Sequence, residues 1–103
     1  DMNERLLDQL IASIRHDRAE LNATRLPEQL KDIGHKVRGA ANIIAASAVI
    51  QGCEALEAAC EAEALEAIVS ERQAALDVAM EALERALVTH RGKTPASQAG
   101  PLP

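Results

Sequence analysis

The sequence contains no Phe, Trp or Tyr. With no aromatic plates to fill a wide interior, the core has to be assembled from Leu, Ile, Val, Ala, Met and Cys. That set suits closely spaced helices better than a β-sandwich, whose strands draw on aromatic and β-branched side chains; the abundance of Ala and Glu points the same way. No apolar run is long enough to cross a bilayer, and no signal-peptide pattern opens the chain. A basic excess is missing too: 11 Lys and Arg face 16 Asp and Glu, a net charge of −5. General nucleic-acid binding, which needs basic surface to neutralise phosphates, is therefore not expected. Cysteine is scarce, and Cys53 and Cys60 lie seven residues apart on one helical stretch. Their separation of about 10 Å along the axis is too great for a disulfide, so they read as reduced core residues of a cytoplasmic compartment. The three histidines, His16, His35 and His90, share no metal-ligand spacing, and no metal site is expected.

What remains is 103 residues, 48% hydrophobic and 26% charged, enough for one globular domain with a modest core. Helical periodicity divides it into four segments. The first, over residues 3–23, places Leu6, Leu7, Leu10, Ile11, Ile14 and Leu21 on one face. Pro27 suits the first turn of the second, which continues to about residue 44. Ser47 is expected to cap the third, with Val49, Ile50, Cys53, Leu56 and Cys60 inward. The fourth covers residues 62–90, with Leu65, Ile68, Val69, Leu76, Ala79, Met80, Leu83 and Leu87 inward. A turn is expected between residues 58 and 67, although no Gly or Pro marks it; two short amphipathic helices cover each other, whereas one long rod leaves its stripe in water. Residues 91–103 carry Gly, Pro, Ser and Thr without apolar periodicity and read as a flexible tail. The expected fold is an antiparallel up-down four-helix bundle over residues 1–90. A start at Asp1, inside helical-looking sequence, reads as a piece of a longer protein.

His35 is the residue that this architecture does not explain. The apolar positions around it, Leu26, Leu30, Ile33, Val37 and Ile44, define a stripe, and at helical spacing His35 points about 170° away from its centre. Lys31, Arg38, Gly39 and Asn42 share the open face, and Lys36 follows directly. Glycine inside a helix costs about 1 kcal/mol relative to alanine, so Gly39 suggests a surface that something else must approach. Residues 28–42 hold three basic and two acidic side chains, a local charge of +1.

The stretch His35-Lys36-Val37-Arg38-Gly39-Ala40-Ala41-Asn42, followed by Ala46, Cys53, Leu56 and Glu57, resembles the histidine-containing phosphotransfer family. That family's pattern is His, two variable positions, Lys or Arg, Gly and small residues, then a helix with Cys and a Leu-Glu pair. Four departures stand out: Arg38 replaces the common Lys, Ala40 the usual Ser and Ala45 a frequent Gly, and the first helix has no aromatic residue. The resemblance implies that His35 accepts a phosphoryl group from a receiver-domain aspartate and passes it to the aspartate of a response regulator. Partners would be receiver domains, including one upstream in the same kinase, with no nucleic acid and no direct membrane contact. No cofactor is expected on this chain; Mg²⁺ would sit on the partner receiver. By the same resemblance the chain looks like the cytoplasmic C-terminal end of an inner-membrane hybrid sensor kinase of a virulence system.

The residues suit that chemistry. An imidazole with an ordinary pKa of about 6.5 keeps a nucleophilic lone pair near neutrality. Lys31, Lys36 and Arg38 are expected to favour its neutral form and attract phosphoryl oxygens; Asn42 either bonds a partner or is simply solvated. No carboxylate cluster beside His35 offers a Mg²⁺ site, so the chain reads as a carrier, with no independent kinase activity. The alternative is a structural or adaptor bundle whose histidine has no chemistry. The phosphoacceptor domain of a histidine kinase fits less well, since an acidic residue after His and a Pro five positions on are expected there, where this chain has Lys36 and Ala40.

Overall fold

The computed structural model describes residues 4–92, which form four helices: α1 (Glu4–Ala23), α2 (Pro27–Ile43), α3 (Ser47–Glu61) and α4 (Glu66–Gly92). No strand occurs among the described residues. Asp8 pairs with Arg91 at one end of α1 while Asn22 reaches Asp77 at the other, so α1 and α4 run in opposite directions. α2 packs on α3, α3 on α4 and α4 on α1, which closes the expected all-α four-helix bundle. Leu21, Leu30, Val37, Val49, Cys53, Leu56, Val69, Leu76 and Met80 meet in one core fed by every helix. Burial pushes the Cys53 thiol up to about 12, as befits an inert core cysteine.

The helix ends follow from local chemistry. Leu26 is extended (φ −77°, ψ 122°), and Pro27 opens α2 where no backbone N–H is needed. Neither α2 nor α3 ends at a glycine. Ala45 (φ 54°) and Glu63 (φ 51°) both occupy the left-handed region. After α2, Ala46 N donates to Ala41 O at 3.0 Å and Ala45 N to Asn42 O at 3.3 Å. After α3, Ala64 N donates to Ala59 O at 3.0 Å and Glu63 N to Cys60 O at 3.1 Å. These paired bonds are those of a Schellman motif, which satisfies the last carbonyls of each helix.

Several expectations need correction. Ser47 is the first helical residue, Ala46 takes the cap position, and no side chain caps α3. The α3–α4 turn lies at residues 62–65, so α4 begins at Glu66 and Leu65 is in the link, 77% exposed rather than inward. Leu6, Leu26 and Ile68 are also exposed, because the first helix buries Leu7, Ile11, Asp17 and Leu21, the second Leu30, Gly34, Val37 and Ala41, and the fourth Val69, Gln73, Leu76 and Met80. Arg91 and Gly92, assigned to the tail by composition, close α4, where the Arg91 guanidinium holds Asp8. Residues 93–103, and the expected helix start at residue 3, lie outside the described residues.

Polar ties fix α1 on α4. Arg18 reaches Asp77 (2.9 Å), Glu84 (3.1 Å) and Glu81 (3.2 Å), and Arg15 reaches Glu84 (2.8 Å). These guanidiniums, with Asn22 at Asp77, hold the Asp77 and Glu84 carboxyls below the usual range. Buried Gln73 donates from Nε2 to the carbonyls of Leu21 (2.6 Å) and Thr24 (3.2 Å), which secures the C-terminal end of α1.

Candidate functional site

The α2–α3 contact sets the site. Gly34 is buried, and a Cβ there would stand 3.2 Å from Glu57 Cγ and 3.7 Å from Cys53 O. Two small residues, Gly34 and Ala41, thus carry the buried face of α2, where hydropathy counting placed Ile33 and Ile44. At 100° per residue, the buried centre lies about 40° nearer to His35 than the apolar stripe suggested. His35 therefore stands on the shoulder of the α2–α3 interface rather than at its opposite pole, within reach of α3.

Its side chain is 75% exposed. Nδ1 lies 3.1 Å from Arg38 Nη2 and 3.5 Å from Glu57 Oε1, and Nε2 has no partner among the described residues. Arg38 leans inward across α3: Nη2 donates to Glu57 Oε1 at 3.4 Å, and Nε stands 2.9 Å from Oε2. That second contact is one of charge without hydrogen-bond alignment, which leaves the buried Oε2 without a hydrogen bond. The Glu57 side chain is only 10% exposed. His35, Arg38 and Glu57 thus form one cluster, with an imidazole outside, a carboxylate inside and a guanidinium bridging them. Glu57 entered the sequence pattern without a role; its burial and its distance from Nδ1 supply one.

The other predicted residues scatter. Lys31 is on the same side of α2 but pairs with Glu61 at 3.5 Å. Lys36 turns to α1, where its ammonium meets Glu20 at 2.7 Å and buried Asp17 at 3.2 Å. Those bonds raise the Lys36 pKa and lower that of Glu20. Lys36 is a tie between helices rather than a part of the His35 cluster. Gly39 faces open space, with nothing within 4 Å of a Cβ placed there. Asn42 is exposed, and its carbonyl serves the turn after α2.

These pairings revise the electrostatics. Adding Glu54, Glu57 and Glu61 on the facing side of α3 turns the +1 of residues 28–42 into −2. The locally positive patch expected from α2 alone disappears once α3 packs beside it.

His16, Asp17 and Glu20 offer ligand atoms within 4.8 Å of one another, a grouping that a search for spaced histidines overlooks. The Lys36 ammonium already bridges both carboxylates, so this cluster holds a cationic side chain of its own. No helix among the described residues is long and apolar enough to cross a membrane. Compared with protein-family models, curated proteins and solved structures, the chain matches none of them.

Proposed function

We propose that the chain is a phosphorelay carrier, loaded at His35 by the aspartyl phosphate of a receiver domain and unloaded onto the aspartate of a response regulator. One observation carries this reading: His35 is anchored at Nδ1 from the inside and bare at Nε2 on the outside of a rigid helix. An incidental surface histidine has no need of a buried carboxylate behind it.

In the proposed step, the Nε2 lone pair attacks phosphorus as the P–O bond to the receiver's aspartate breaks. The electron pair leaves with the carboxylate, and a P–N bond forms. For Nε2 to be the nucleophile, the ring proton must sit on Nδ1. Glu57 Oε1, 3.5 Å from Nδ1, accepts that proton only once the Arg38 Nη2 donor, now 3.1 Å from Nδ1 and favouring the opposite tautomer, has moved away; it then offsets the positive charge that the ring acquires. Arg38 Nη2, a donor now facing Nδ1, turns outward to the phosphoryl oxygens. Gly39 leaves room for the partner's loops. Charge neutralisation by Mg²⁺ belongs to the receiver, since phosphoryl transfer depends mainly on positioning and on counter-charge. On this reading the chain acts in the cytoplasm, as the C-terminal domain of a membrane-anchored sensor kinase.

The test is incubation with a phosphorylated receiver domain. Acid-labile label is expected on the wild-type chain and not on His35→Gln. Equal labelling of both would leave an adaptor bundle without histidine chemistry.

A further inference from the structure

The end of the bundle formed by the α1–α2 and α3–α4 links exposes large apolar side chains that the fold does not use. Leu26 is 59% exposed, and Leu65 at the neighbouring link is more so. Between the start of α2 and the end of α3 runs a groove of about 790 Å³, lined by Leu26, Pro27, Cys60 and Ala64 and rimmed by Glu28 and Glu63. Lys31 and Glu61 close it on the His35 side and neutralise each other. Glu28 and Glu63 have no ion-pair partner among the described residues. The groove thus has an apolar floor and an unbalanced acidic rim, one helical turn from Lys31 to His35 along α2.

We infer that this groove docks an amphipathic helix of the visiting receiver domain, one that brings an apolar side chain onto Leu26 and Ala64 and Lys or Arg side chains against Glu28 and Glu63. The proposal rests on the phosphorelay reading and adds to it where, and with what chemistry, the partner holds on. Charge selects this occupant: a segment with acidic flanks is repelled by the rim, and a purely apolar one leaves Glu28 and Glu63 facing it unpaired. The Leu26 anchor supplies apolar burial, and the rim supplies orientation. Binding at the groove leaves His35 uncovered, so one partner can grip α2 and α3 there while its phosphorylated loop reaches Nε2.

The experiment compares the wild-type chain with Leu26→Ser and with the double variant Glu28→Lys/Glu63→Lys. All three positions are exposed, and circular dichroism checks that the helices persist. Two donors are used: the receiver that labels His35, and phosphoramidate, which needs no docking surface. Each variant is expected to raise KM for the receiver by roughly tenfold, the scale of one leucine's burial, with kcat and phosphoramidate labelling unchanged. The loss in the charge variant is expected to shrink at high salt. Receiver KM unchanged in both variants overturns the groove and leaves the phosphorelay reading standing. Absence of receiver transfer to the wild-type chain overturns both. A dimer in sedimentation that Leu26→Ser dissolves makes a second copy the occupant and overturns the proposal.

Discussion

Two glycines of one helix are predicted to respond differently to alanine. Gly34 and Gly39 sit five residues apart in α2, and intrinsic propensity treats them alike, favouring alanine at each by about 1 kcal/mol. Their surroundings separate them. At Gly39 a Cβ meets nothing within 4 Å, so Gly39→Ala is expected to gain that full amount. At Gly34 the new methyl stands 3.2 Å from Glu57 Cγ. Glu57 has little freedom to yield, because it is buried and Arg38 grips both of its carboxylate oxygens. Overpacking of this kind costs roughly 1–3 kcal/mol, which leaves Gly34→Ala between neutral and about 2 kcal/mol less stable after the propensity gain.

The two variants are therefore expected to differ by about 1–3 kcal/mol, or at least about 4 °C in melting temperature for a domain of this size. Without aromatic residues the chain has no tryptophan or tyrosine signal, so far-UV circular dichroism is the assay. If Gly34→Ala stabilises the fold as much as Gly39→Ala, α2 and α3 do not approach as closely as described, and the account of how Glu57 is held behind His35 goes with it.

The left-handed turns give a second prediction: Ala45→Gly and Glu63→Gly are each expected to stabilise the fold by about 0.5–1 kcal/mol in chemical denaturation, the left-handed strain relieved less glycine's added freedom when unfolded. The gains are expected to add, since the turns lie at opposite ends of α3. Acid is expected to loosen the α1–α4 seam, because Asp77 and Glu84 have depressed folded pKa values. Their stabilisation is complete above the ordinary carboxylate values near pH 4 and is lost as the pH falls through the lower folded ones; melts against pH check this, and Arg18→Met is expected to flatten the dependence. Arg38→Ala is expected to lower the equilibrium share of phosphoryl group on His35 against a receiver, while Glu57→Gln, which frees Arg38 but also removes the carboxylate that offsets the ring's charge, is expected to change it less. A fall with Glu57→Gln equal to that with Arg38→Ala refutes the partner exchange.

Helix number and order were legible because long aliphatic side chains recur at helical spacing, as Leu7, Ile11, Leu21, Leu30, Val37, Leu56, Leu76 and Met80 do in the core. The misplaced stripe of α2 has a plain cause: hydropathy counts size, and this fold also buries small residues. Gly34 and Ala41 carry the inner face of α2 while Leu26 faces water, which misplaces the stripe and, with it, the angle of His35. Leu65 was misassigned because a turn without glycine or proline gives no local mark; Glu63 adopts φ 51° and is held there by backbone bonds. Ala45 had a visible sign, standing where the pattern read from residues 35–57 often carries a glycine. The exposure of His35 could be read from one helix. The pairing of its neighbours could not, because Glu57, Glu61, Glu20 and Asp17 come from other helices.

Those pairings change what a phosphoryl group would meet at His35 under the proposed relay. A helix with free cations holds an anion by attraction alone, and tightly. Here Arg38, the one cation among the described residues in contact with the ring, is already committed to a buried carboxylate, so whatever it would give to a phosphoryl group it would withdraw from Glu57. The pairing lost is substantial, since Glu57 lies in a part of the molecule where water cannot fully replace the guanidinium. Glu57 regains part of it by turning to the ring nitrogen, which gains a proton's worth of charge when Nε2 is occupied. Neither state of the site then leaves a buried charge unmatched, and the two differ by an exchange of partners rather than by the making or loss of an ion pair. A small difference between loaded and empty states is what the proposed reversible carrier requires, and the arrangement of α3, more than the positive residues of α2, would provide it.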